Sequence, residues 1–458
     1  MNIKDDFILS QINEGYLVGG SIRDFLCGKT FIDRDIAICN AKKFAEKITR
    51  QFDGTMVVLD EENQIFRVVL KDKINYLDIS ELVGSRIEED LTRRDFTINA
   101  IAYDLKSNQF IDVTGGIEDL KNGRLQHIAD SNFVNDPLRI LRAFRFLAVT
   151  GFEPTENLIE AINQYKHLVL NPSAERINYE IMKLFGGEHC SKMLLLMDKM
   201  GILEKIFSFV SELKQVTPNS HHHLDLFHHS VETVKQLELL YAQSDKCTKE
   251  HLNRIDFGGF ARINHLKLSG FMHDIGKFST WTIEEDTKRH RFIKHDEIGS
   301  KLCIQYLKDL KFSKKQIEYV SSMIKNHIYP SNVLASPELS EKIMMRYLRK
   351  MGENVIDNIM LAQADRLSAR GAGITEKMVK DNIDGLNKLK NFYYEKKDLL
   401  KPLPKLLDGL EIMKLLNIKA SPELGKIINA LYEEQLCGNI NTKEEAIEFV
   451  KKYQLNNS

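Results

Sequence analysis

The chain has 458 residues, 43% of them hydrophobic, and its 64 Lys and Arg nearly balance its 65 Asp and Glu. This length exceeds one ordinary core, so we expect several domains. The near-neutral balance excludes a global attraction for polyanions, so any nucleic-acid surface must be local. The six cysteines form no Cys-x-x-Cys pair and no apolar run approaches the ~20 residues of a membrane span. We therefore expect a cytoplasmic protein with no membrane contact.

The first 130 residues contain short runs typical of β-strands, with one helix predicted near residues 41–52. The runs are "GTMVVLD", "IFRVVL", "INYLDIS" and "FIDVTGG". From about residue 135 the apolar spacing becomes helical, as in "DPLRILRAFRFLAVTGF", and it stays helical to the end. Boundaries are predicted at "TPNSHHH" (217–223) and "KKDLLKPLPKLL" (396–407). The sequence thus predicts an α+β chain with a small mixed-sheet head at 1–130, a helical neck at 131–215, a third domain at 216–395 and a helical tail at 396–458.

Two aspartates, Asp33 and Asp35, are one residue apart in "FIDRDIAI". If this run is a strand, residues i and i+2 share a face, so the two carboxylates lie side by side. Such hard oxygen ligands suit magnesium ions that carry the phosphates of a nucleotide. The alternative is an exposed strand face with ordinary surface acids.

A glycine turn, "YLVGGSIRD", precedes the aspartates. Gly20 allows backbone N–H groups to approach a phosphate, Ser21 offers a hydroxyl donor, and Arg23 offers a guanidinium fork. The turn therefore favours phosphate binding next to the carboxylate pair.

Five blocks in order resemble the class II tRNA nucleotidyltransferase and bacterial poly(A) polymerase family. They are "GGSIRDFLCGKTFIDRDIAI", "EEDLTRRDFTINAIAYD" (88–104), "IDVTGGIEDLKNGRL" (111–125), "NDPLRILRAFRF" (135–146) and "AERINYEIMKLF" (174–185). The resemblance implies a polymerase-β-like head and the substrates CTP, ATP and tRNA. Asn135 departs from the glutamate that the family usually has there.

The same resemblance implies roles for individual residues. Asp33, Asp35 and a third carboxylate, Asp78, would hold two Mg²⁺ ions that activate the RNA 3′-hydroxyl and stabilise pyrophosphate. The alternative for Asp78 is a surface acid, and for the arginines after residue 136 a solvated helix face. The predicted nucleotide-binding residues are Arg93 and Arg94 for nucleotide and phosphates, Asn99 for the sugar, Asp136 and Arg139 for the base edge, and Arg142 and Arg145 for the triphosphate.

The segment "ELVGSRI" (81–87) is short compared with the flexible loop that CCA-adding relatives have between the same blocks. That loop is thought to help the site switch from CTP to ATP, so its shortness resembles the CC-adding branch. Such an enzyme needs a separate A-adding enzyme acting on the same tRNA. The alternative is that another segment takes over the role of the loop.

A second set of motifs follows the order of the HD metal-dependent phosphohydrolase domain, in "HHSVETV", "FMHDIGKF", "HRFIKHDEIGSKL", "MIKNHIYP" and "AQADRLSARG". Imidazole plus carboxylate is a ligand set for divalent transition metals. A single helical histidine is more often structural, so the whole set carries the prediction. Either His228 or its neighbour His229 could face the metal. His290 is predicted either to contact phosphate or to be a surface residue. The resemblance implies the ligands His229, His273, Asp274 and Asp365, with His295 and His327 available for a second metal.

The tail "LLDGLEIMKLLNIKASPELGKIINALYEEQLCGNINTKEEAI" (406–447) resembles the C-terminal, tRNA-binding helices of HD-bearing tRNA nucleotidyltransferases, and predicts two or three helices divided at Ser421-Pro422. The whole pattern predicts an enzyme that adds CMP to tRNA 3′ ends and carries a metal-dependent phosphohydrolase. Whether it also adds AMP stays open. The alternatives are a CC-adding enzyme, a poly(A) polymerase, or an HD-type nucleotide-signalling phosphohydrolase with a degenerate head.

Overall fold

The computed structural model describes residues 3–31, 33–217, 224–287, 290–336, 339–371, 373–400, 404–436 and 438–455. These residues form two compact units, 1–208 and 209–458. Most of the predicted boundary at 217–223, and residues 401–403 of the second one, lie outside the described residues. No helix among the described residues is long and apolar enough to cross a membrane.

The first unit contains a seven-stranded mixed sheet with the strand order β3-β4-β5-β2-β1-β6-β7. The β2–β5 pair is parallel and the other neighbours are antiparallel. The four predicted β-runs correspond to β3, β4, β5 and β7, so the mixed-sheet head is confirmed. The strands are β1 Tyr16–Val18, β2 Asp35–Ile38, β3 Thr55–Asp60, β4 Ile65–Val69, β5 Tyr76–Glu81, β6 Ile101–Asp104 and β7 Gln109–Asp112.

Helices interleave with the sheet and replace it after residue 125. The amphipathic helix α2 buries Phe44, Ala45 and Ile48 while its lysines stay outside, which explains its predicted position. A two-residue pair, β8 Arg124–Leu125 with β9 Glu153–Pro154, is the last β-structure of this unit. The helices are α1 Gly20–Leu26, α2 Ala41–Gln51, α3 Ile87–Thr92, α4 Gly116–Lys121, α5 Ser131–Asn135, α6 Leu138–Thr150, α7 Glu156–Tyr165, α8 Ala174–Gly186, α9 Cys190–Lys199 and α10 Leu203–Ile206.

The second unit is almost entirely helical in its described part. Every residue of its central helix α14 is buried, so this helix is the core of the bundle. Its helices before the tail are α11 Val210–Leu213, α12 Leu226–Gln243, α13 Lys246–Leu252, α14 Arg262–Met272, α15 Lys277–Thr280, α16 His295–Asp309, α17 Lys314–Asn326, α18 Tyr329–Leu334, α19 Glu341–Met351, α20 Val355–Ser368 and α21 Glu376–Lys396. Two hairpins join them, β10 Ile255–Phe257 with β11 Phe260–Ala261, and β12 Trp281–Ile283 with β13 His290–Phe292.

The tail forms three helices, α22 Gly409–Leu416, α23 Pro422–Leu436 and α24 Lys443–Leu455. They share a small apolar core that includes Ile412, Ile427 and Val450. The predicted division at Ser421-Pro422 is confirmed, because α23 begins at Pro422. Proline is favoured at the first helical position, where its missing N–H costs no intrahelical hydrogen bond.

Candidate active sites

The predicted aspartates lie at one point of the mixed sheet. Asp35 begins β2 and lies opposite Asp78 of the parallel strand β5. Asp33 precedes β2 and is exposed, so the prediction of two carboxylates on one strand is wrong for Asp33. The Tyr76 hydroxyl donates a hydrogen bond to Asp33, which places that side chain at the same edge.

The electrostatics of this carboxylate cluster favour a cation. Burial, and then the negative charges of Asp78 and Asp33, raise the pKa of Asp35 to about 6. Asp78 is balanced by Arg67, whose Nε and Nη2 each donate to it at 2.7 Å. Asp35 has no such fork among the described contacts. A divalent cation bound by Asp33 and Asp35 would remove this repulsion, so the residues present fit the predicted metal.

The glycine turn lies against Asp35. Gly19 has φ +75°, and a Cβ atom there would lie 3.2 Å from Asp35 Oδ2, so a side chain at this position would be strained and crowded. Gly20 begins α1, and the hydroxyl of the buried Ser21 donates to the Val18 carbonyl at 3.2 Å. The free Ser21 donor predicted for phosphate is therefore already used by the backbone in this structure.

A buried network of charged and polar groups connects the predicted nucleotide-binding residues. Arg23 Nη1 donates to Asn99 Oδ1 at 3.0 Å, and Asn99 Nδ2 donates to Asp95 Oδ1 at 3.0 Å. Arg142 Nε donates to Asp95 Oδ2 at 2.8 Å. Burial opposes the charge on Asp95, but Arg142 and Asn99 outweigh it and lower the pKa of this carboxyl. The network thus fixes Arg142 and Asn99 before any ligand binds.

Glu180 of α8 extends the network to the next arginine of α6. Its carboxylate lies 3.2 Å from Arg145 Nη1 and 3.6 Å from Arg142 Nη1. Arg145 is buried, and its Cζ atom lies 4.1 Å from the Phe146 ring centroid. Burial lowers the pKa of Arg145 to about 10, although the negative charge of Glu180 opposes this shift. In this geometry the guanidinium of Arg145 is engaged by protein groups, and its predicted contact with triphosphate stays a prediction.

Sequence reasoning assigned no role to Asp95 or Glu180, although both stand inside the quoted blocks. The available signal is positional. Glu180 interrupts the buried face of α8 between Ile177 and Ile181, and a buried acid is rarely found without a cationic partner.

The predicted base-reading pair lies at the start of α6. Asp136 is extended between α5 and α6, and its carboxylate accepts from Arg176 Nη2 at 3.0 Å. Arg139 Nη1 donates to the Arg94 carbonyl at 3.3 Å, while the Arg94 side chain donates to Asp90 at 2.8 Å. The helix predicted from about Asp136 begins at Leu138, since Asp136 itself has non-helical dihedrals. Asp136 and Arg139 are both only partly buried, so their polar atoms border the solvent side of the network.

The predicted nucleotide contact Arg93 ends α3 and is exposed. It therefore borders the same region with a side chain that points away from the core. Nothing in the described contacts of Arg93 assigns it to a phosphate or to a base, so this contact stays a prediction.

The short segment 81–87 is anchored at both ends. The Glu81 carboxylate accepts hydrogen bonds from Asn40 N at 2.8 Å and Ala41 N at 2.7 Å, at the start of α2. The Glu89 carboxylate accepts from Ser85 N at 2.9 Å and packs under Gly84, where φ is +91°. The segment is thus a tight turn with little reach.

The second unit brings together the histidines and aspartates predicted as metal ligands. His229 Nε2 lies 3.1 Å from Asp365 Oδ1 and 3.4 Å from Asp274 Oδ2. His273 Nε2 lies 3.1 Å from Asp274 Oδ2. The other Asp274 oxygen is 3.5 Å from His295 Nε2 and 3.6 Å from His327 Nε2. Two sets of three ligand atoms lie within 4.8 Å of one another, His229, His273 and Asp365, and His273, Asp274 and His327.

The proton positions in this cluster fit a divalent metal. Nδ1 of His273, His295 and His327 lies at 2.8, 2.8 and 2.6 Å from the carbonyl oxygens of Gly270, Phe292 and Ile324. A neutral ring that donates through Nδ1 has a lone pair on Nε2. Burial lowers the pKa of His295 and of His327, which favours the neutral form of these two rings. The Nε2 atoms of His295 and His327 are only 3.2 Å apart. Two facing lone pairs repel unless a cation lies between them, so the cluster fits a metal.

Of the neighbours His228 and His229, the structure brings only His229 into the cluster. His229 is buried in the cluster, whereas His228 is exposed and its Nδ1 lies 2.7 Å from Asp225 Oδ2 at the start of α12. His290 lies on β13 with its ring centroid 5.4 Å from that of Trp281. The contact of His290 with phosphate stays a prediction.

Comparison with known families gives three matches in chain order. Residues 15–126 match the poly A polymerase head domain, residues 151–214 match the probable RNA and SrmB-binding site of polymerase A, and residues 226–370 match the HD domain. The chain therefore contains a poly A polymerase head domain followed by an HD domain, in the order that the motifs predicted. Domains of both kinds generally use divalent metals.

Relatives of similar length are named as tRNA nucleotidyltransferases. The chain is 28% identical to a CC-adding tRNA nucleotidyltransferase of Thermus thermophilus over 97% of this chain and 95% of the relative. It is 29% identical to an A-adding tRNA nucleotidyltransferase of Deinococcus radiodurans over 95% of each. A solved complex of a CCA-adding enzyme with CTP has a TM-score of 0.59 at 20% identity and covers 99% of this chain and 96% of that one. At this identity the structural likeness supports the fold, and the expected α+β class is confirmed.

Proposed function

We propose that this protein is a tRNA nucleotidyltransferase that adds CMP from CTP to tRNA 3′ ends. The observation that carries the proposal is the carboxylate cluster of Asp33, Asp35 and Asp78 beside the network that fixes Arg23, Asn99 and Arg142. The full-length relatives that act on tRNA support the substrate class. Incubation with labelled CTP and tRNA lacking its terminal CCA tests it, and label on no RNA would overturn it.

In the proposed reaction the RNA 3′-hydroxyl oxygen bonds to the α-phosphorus of CTP, the bond to pyrophosphate breaks, and the hydroxyl proton passes to solvent. Mg²⁺ bound at the head would supply charge stabilisation to the attacking and leaving oxygens. Asp33 and Asp35 would hold the metal, with Asp78 kept in register by Arg67. Arg23 and Arg142, already fixed by Asn99 and Asp95, would lie against the phosphates without further reorganisation.

Base selection is proposed for Asp136 and Arg139, with Arg93 and Arg94 beside them. A carboxylate and a guanidinium together offer an acceptor and donors, which is the set needed to read one edge of a base. Because Asp136 pairs with Arg176 across α6 and α8, its orientation depends on the helical neck. This gives the proposed 131–215 neck a function beyond support.

A second candidate is that addition stops after CC, so that a separate A-adding enzyme completes the tRNA. The observation that favours this candidate is the anchored turn at 81–87. A segment held by Glu81 and Glu89 would not move far enough to help the site switch from CTP to ATP. Sequencing the 3′ ends of products made with CTP and ATP together tests it. A majority ending in CCA would overturn the CC-only proposal and leave CMP addition untouched.

For the second unit we propose a metal-dependent phosphohydrolase that acts on a phosphomonoester or a 2′,3′-cyclic phosphate. A divalent transition metal at the cluster would supply a polarised water, whose oxygen bonds to phosphorus while a P–O ester bond breaks and the leaving oxygen takes a proton. Support comes from the opposed Nε2 atoms of His295 and His327. Assays with added Mn²⁺, Co²⁺ or Ni²⁺ and a nucleoside 2′,3′-cyclic phosphate test it, and wild-type protein that binds no metal would overturn it.

The remaining proposals follow from the sequence. The tail at 396–458 is proposed to contact tRNA, the HD domain to span 216–395, and the reactions to take place in the cytoplasm. A poly(A) polymerase would need a processive RNA path, and a signalling hydrolase a degenerate head. The intact cluster of Asp33 and Asp35 argues against a degenerate head. The assay with labelled CTP, ATP and tRNA separates the tRNA nucleotidyltransferase, the poly(A) polymerase and the signalling hydrolase.

A further inference from the structure

A small hairpin stands beside the HD cluster and has no role in the proposed hydrolysis. Its strands, β12 and β13, pair Trp281 with Phe292 and Ile283 with His290. Because side chains alternate along a strand, these four share one face while Thr282 and Arg291 share the other. The first face is largely aromatic.

The aromatic face adjoins the metal ligands. The Phe292 carbonyl accepts from His295 Nδ1 at 2.8 Å, and the Phe292 ring centroid lies 5.5 Å from Lys277 Nζ. Lys277 Nζ in turn lies 2.7 Å from Asp274 Oδ2. Trp281 lies directly opposite Phe292, so it shares a face with the ring that contacts Lys277 beside the cluster.

Trp281 and His290 form a corner with unused hydrogen-bonding capacity. Their ring centroids are 5.4 Å apart and their planes are inclined by 48°. Trp281 Nε1 and His290 Nδ1 are shielded from solvent, and within the described residues neither has a hydrogen-bond partner. Leaving such groups unpaired costs on the order of 1–3 kcal/mol each. A ligand that supplied partners would recover this cost.

We propose that Trp281 and His290 bind the base of the nucleoside phosphate whose phosphate reaches the HD cluster. A nucleobase offers both a π-face for the rings and edge atoms for the two ring nitrogens. The hairpin has three residues in each strand, and no further strand pairs with it in the described part of the chain. Such a two-stranded element is marginal by itself, so it can shift to admit the base at low cost. This inference deepens the proposed phosphohydrolase and rests on it for the class of substrate.

The single tryptophan of the chain makes the proposal directly measurable, since Trp281 is the only one present. We would titrate full-length protein with adenosine 2′,3′-cyclic phosphate, with an oligoribonucleotide ending in a 2′,3′-cyclic phosphate, and with ribose 5-phosphate. The titration would be run in EDTA, to prevent turnover, and repeated at short times with Mn²⁺. Saturable change in fluorescence with either base-bearing ligand, but not with ribose 5-phosphate, is expected. The ligand that acts at lower concentration identifies the source as free nucleotide or RNA end.

Variants separate this proposal from the hydrolase proposal. His290→Ala should weaken the fluorescence titration and raise KM by about 10-fold, with kcat changed less, as loss of one stacking partner does. Trp281→Phe removes the fluorophore but keeps an aromatic ring, so its KM should stay close to that of wild type. Thr282→Ala, on the opposite face of the hairpin, should behave as wild type. An unchanged KM in both His290→Ala and Trp281→Ala, or equal fluorescence changes with ribose 5-phosphate, would overturn the base site. Base binding without hydrolysis would instead overturn only the hydrolase.

Discussion

The head cluster and the HD cluster solve the problem of holding a metal in different ways. In the head, Asp78 already has Arg67 and Asp33 already has Tyr76, so protein groups balance much of the charge. In the HD cluster, His295 and His327 point acceptor nitrogens at each other. The charges of the first cluster are largely balanced by protein groups, whereas the facing nitrogens of the second would be satisfied by a cation. The difference teaches that one chain combines a polar cluster on a sheet, balanced by its own side chains, with a helical cluster whose geometry favours a metal.

The largest effect is expected at Asp35. Asp35→Ala should lower CMP addition by about 1,000-fold or more, because a metal ligand at the reacting phosphate supplies several kcal/mol of transition-state stabilisation. Binding of tRNA should change little, since its affinity depends on distant phosphate contacts. Single-turnover incorporation and filter binding measure the two quantities. Asp53→Ala, which removes an exposed partner of Lys71, is the matched control. Near-normal incorporation by Asp35→Ala would show that the carboxylate cluster has no catalytic role.

The neighbours His228 and His229 sharpen the comparison at the other site. His229→Ala should lower metal affinity by about 100-fold or more and abolish phosphohydrolase activity, since it removes a buried nitrogen ligand. His228→Ala should leave both unchanged, because that side chain is exposed beside Asp225. Metal content after dialysis and hydrolysis rates measure this. CMP addition should be unaffected in both variants, and equal metal loss in the two would contradict the assignment.

Glu180 tests how far the head is preorganised. Glu180→Gln should lower the free energy of unfolding by about 3 kcal/mol, because removal of one partner leaves the buried Arg145 uncompensated. Urea unfolding followed by circular dichroism measures it. Glu188→Gln, at an exposed position, is the control. If the stability falls while kcat for CMP addition is unchanged, Glu180 has no part in positioning Arg142.

The smallest effect is a pH dependence at Asp35. Its pKa is raised to about 6 in the folded protein, so between pH 4 and 6 the folded state retains a proton that the unfolded state has lost. The free energy of unfolding should therefore fall as pH rises through this window, by on the order of 1–3 kcal/mol without metal. Added Mg²⁺ should restore it at pH 7 more than at pH 5, because only the ionised carboxylate binds the ion. Thermal unfolding measures this, and Asp35→Asn should flatten both responses.

The sequence by itself determined much of this protein. The alternating runs predicted the strands of the head, and apolar spacing predicted the helices from about residue 135, because both depend on local periodicity. Motif order predicted the matched domains and the residues that meet in the HD cluster. These residues are identifiable in one dimension because their chemistry allows few substitutes.

Only the tertiary structure decided which neighbours those residues have. The spacing of Asp33 and Asp35 predicted a shared strand, yet β2 begins at Asp35, because local spacing does not fix where sheet pairing starts. The choice of His229 over His228 depends on which face of α12 meets Asp274. Asp95 and Glu180 lie 85 residues apart in sequence and hold the same arginine. Such pairings depend on the packing of distant elements, because a partly buried arginine pairs with whichever carboxylates the fold brings within reach.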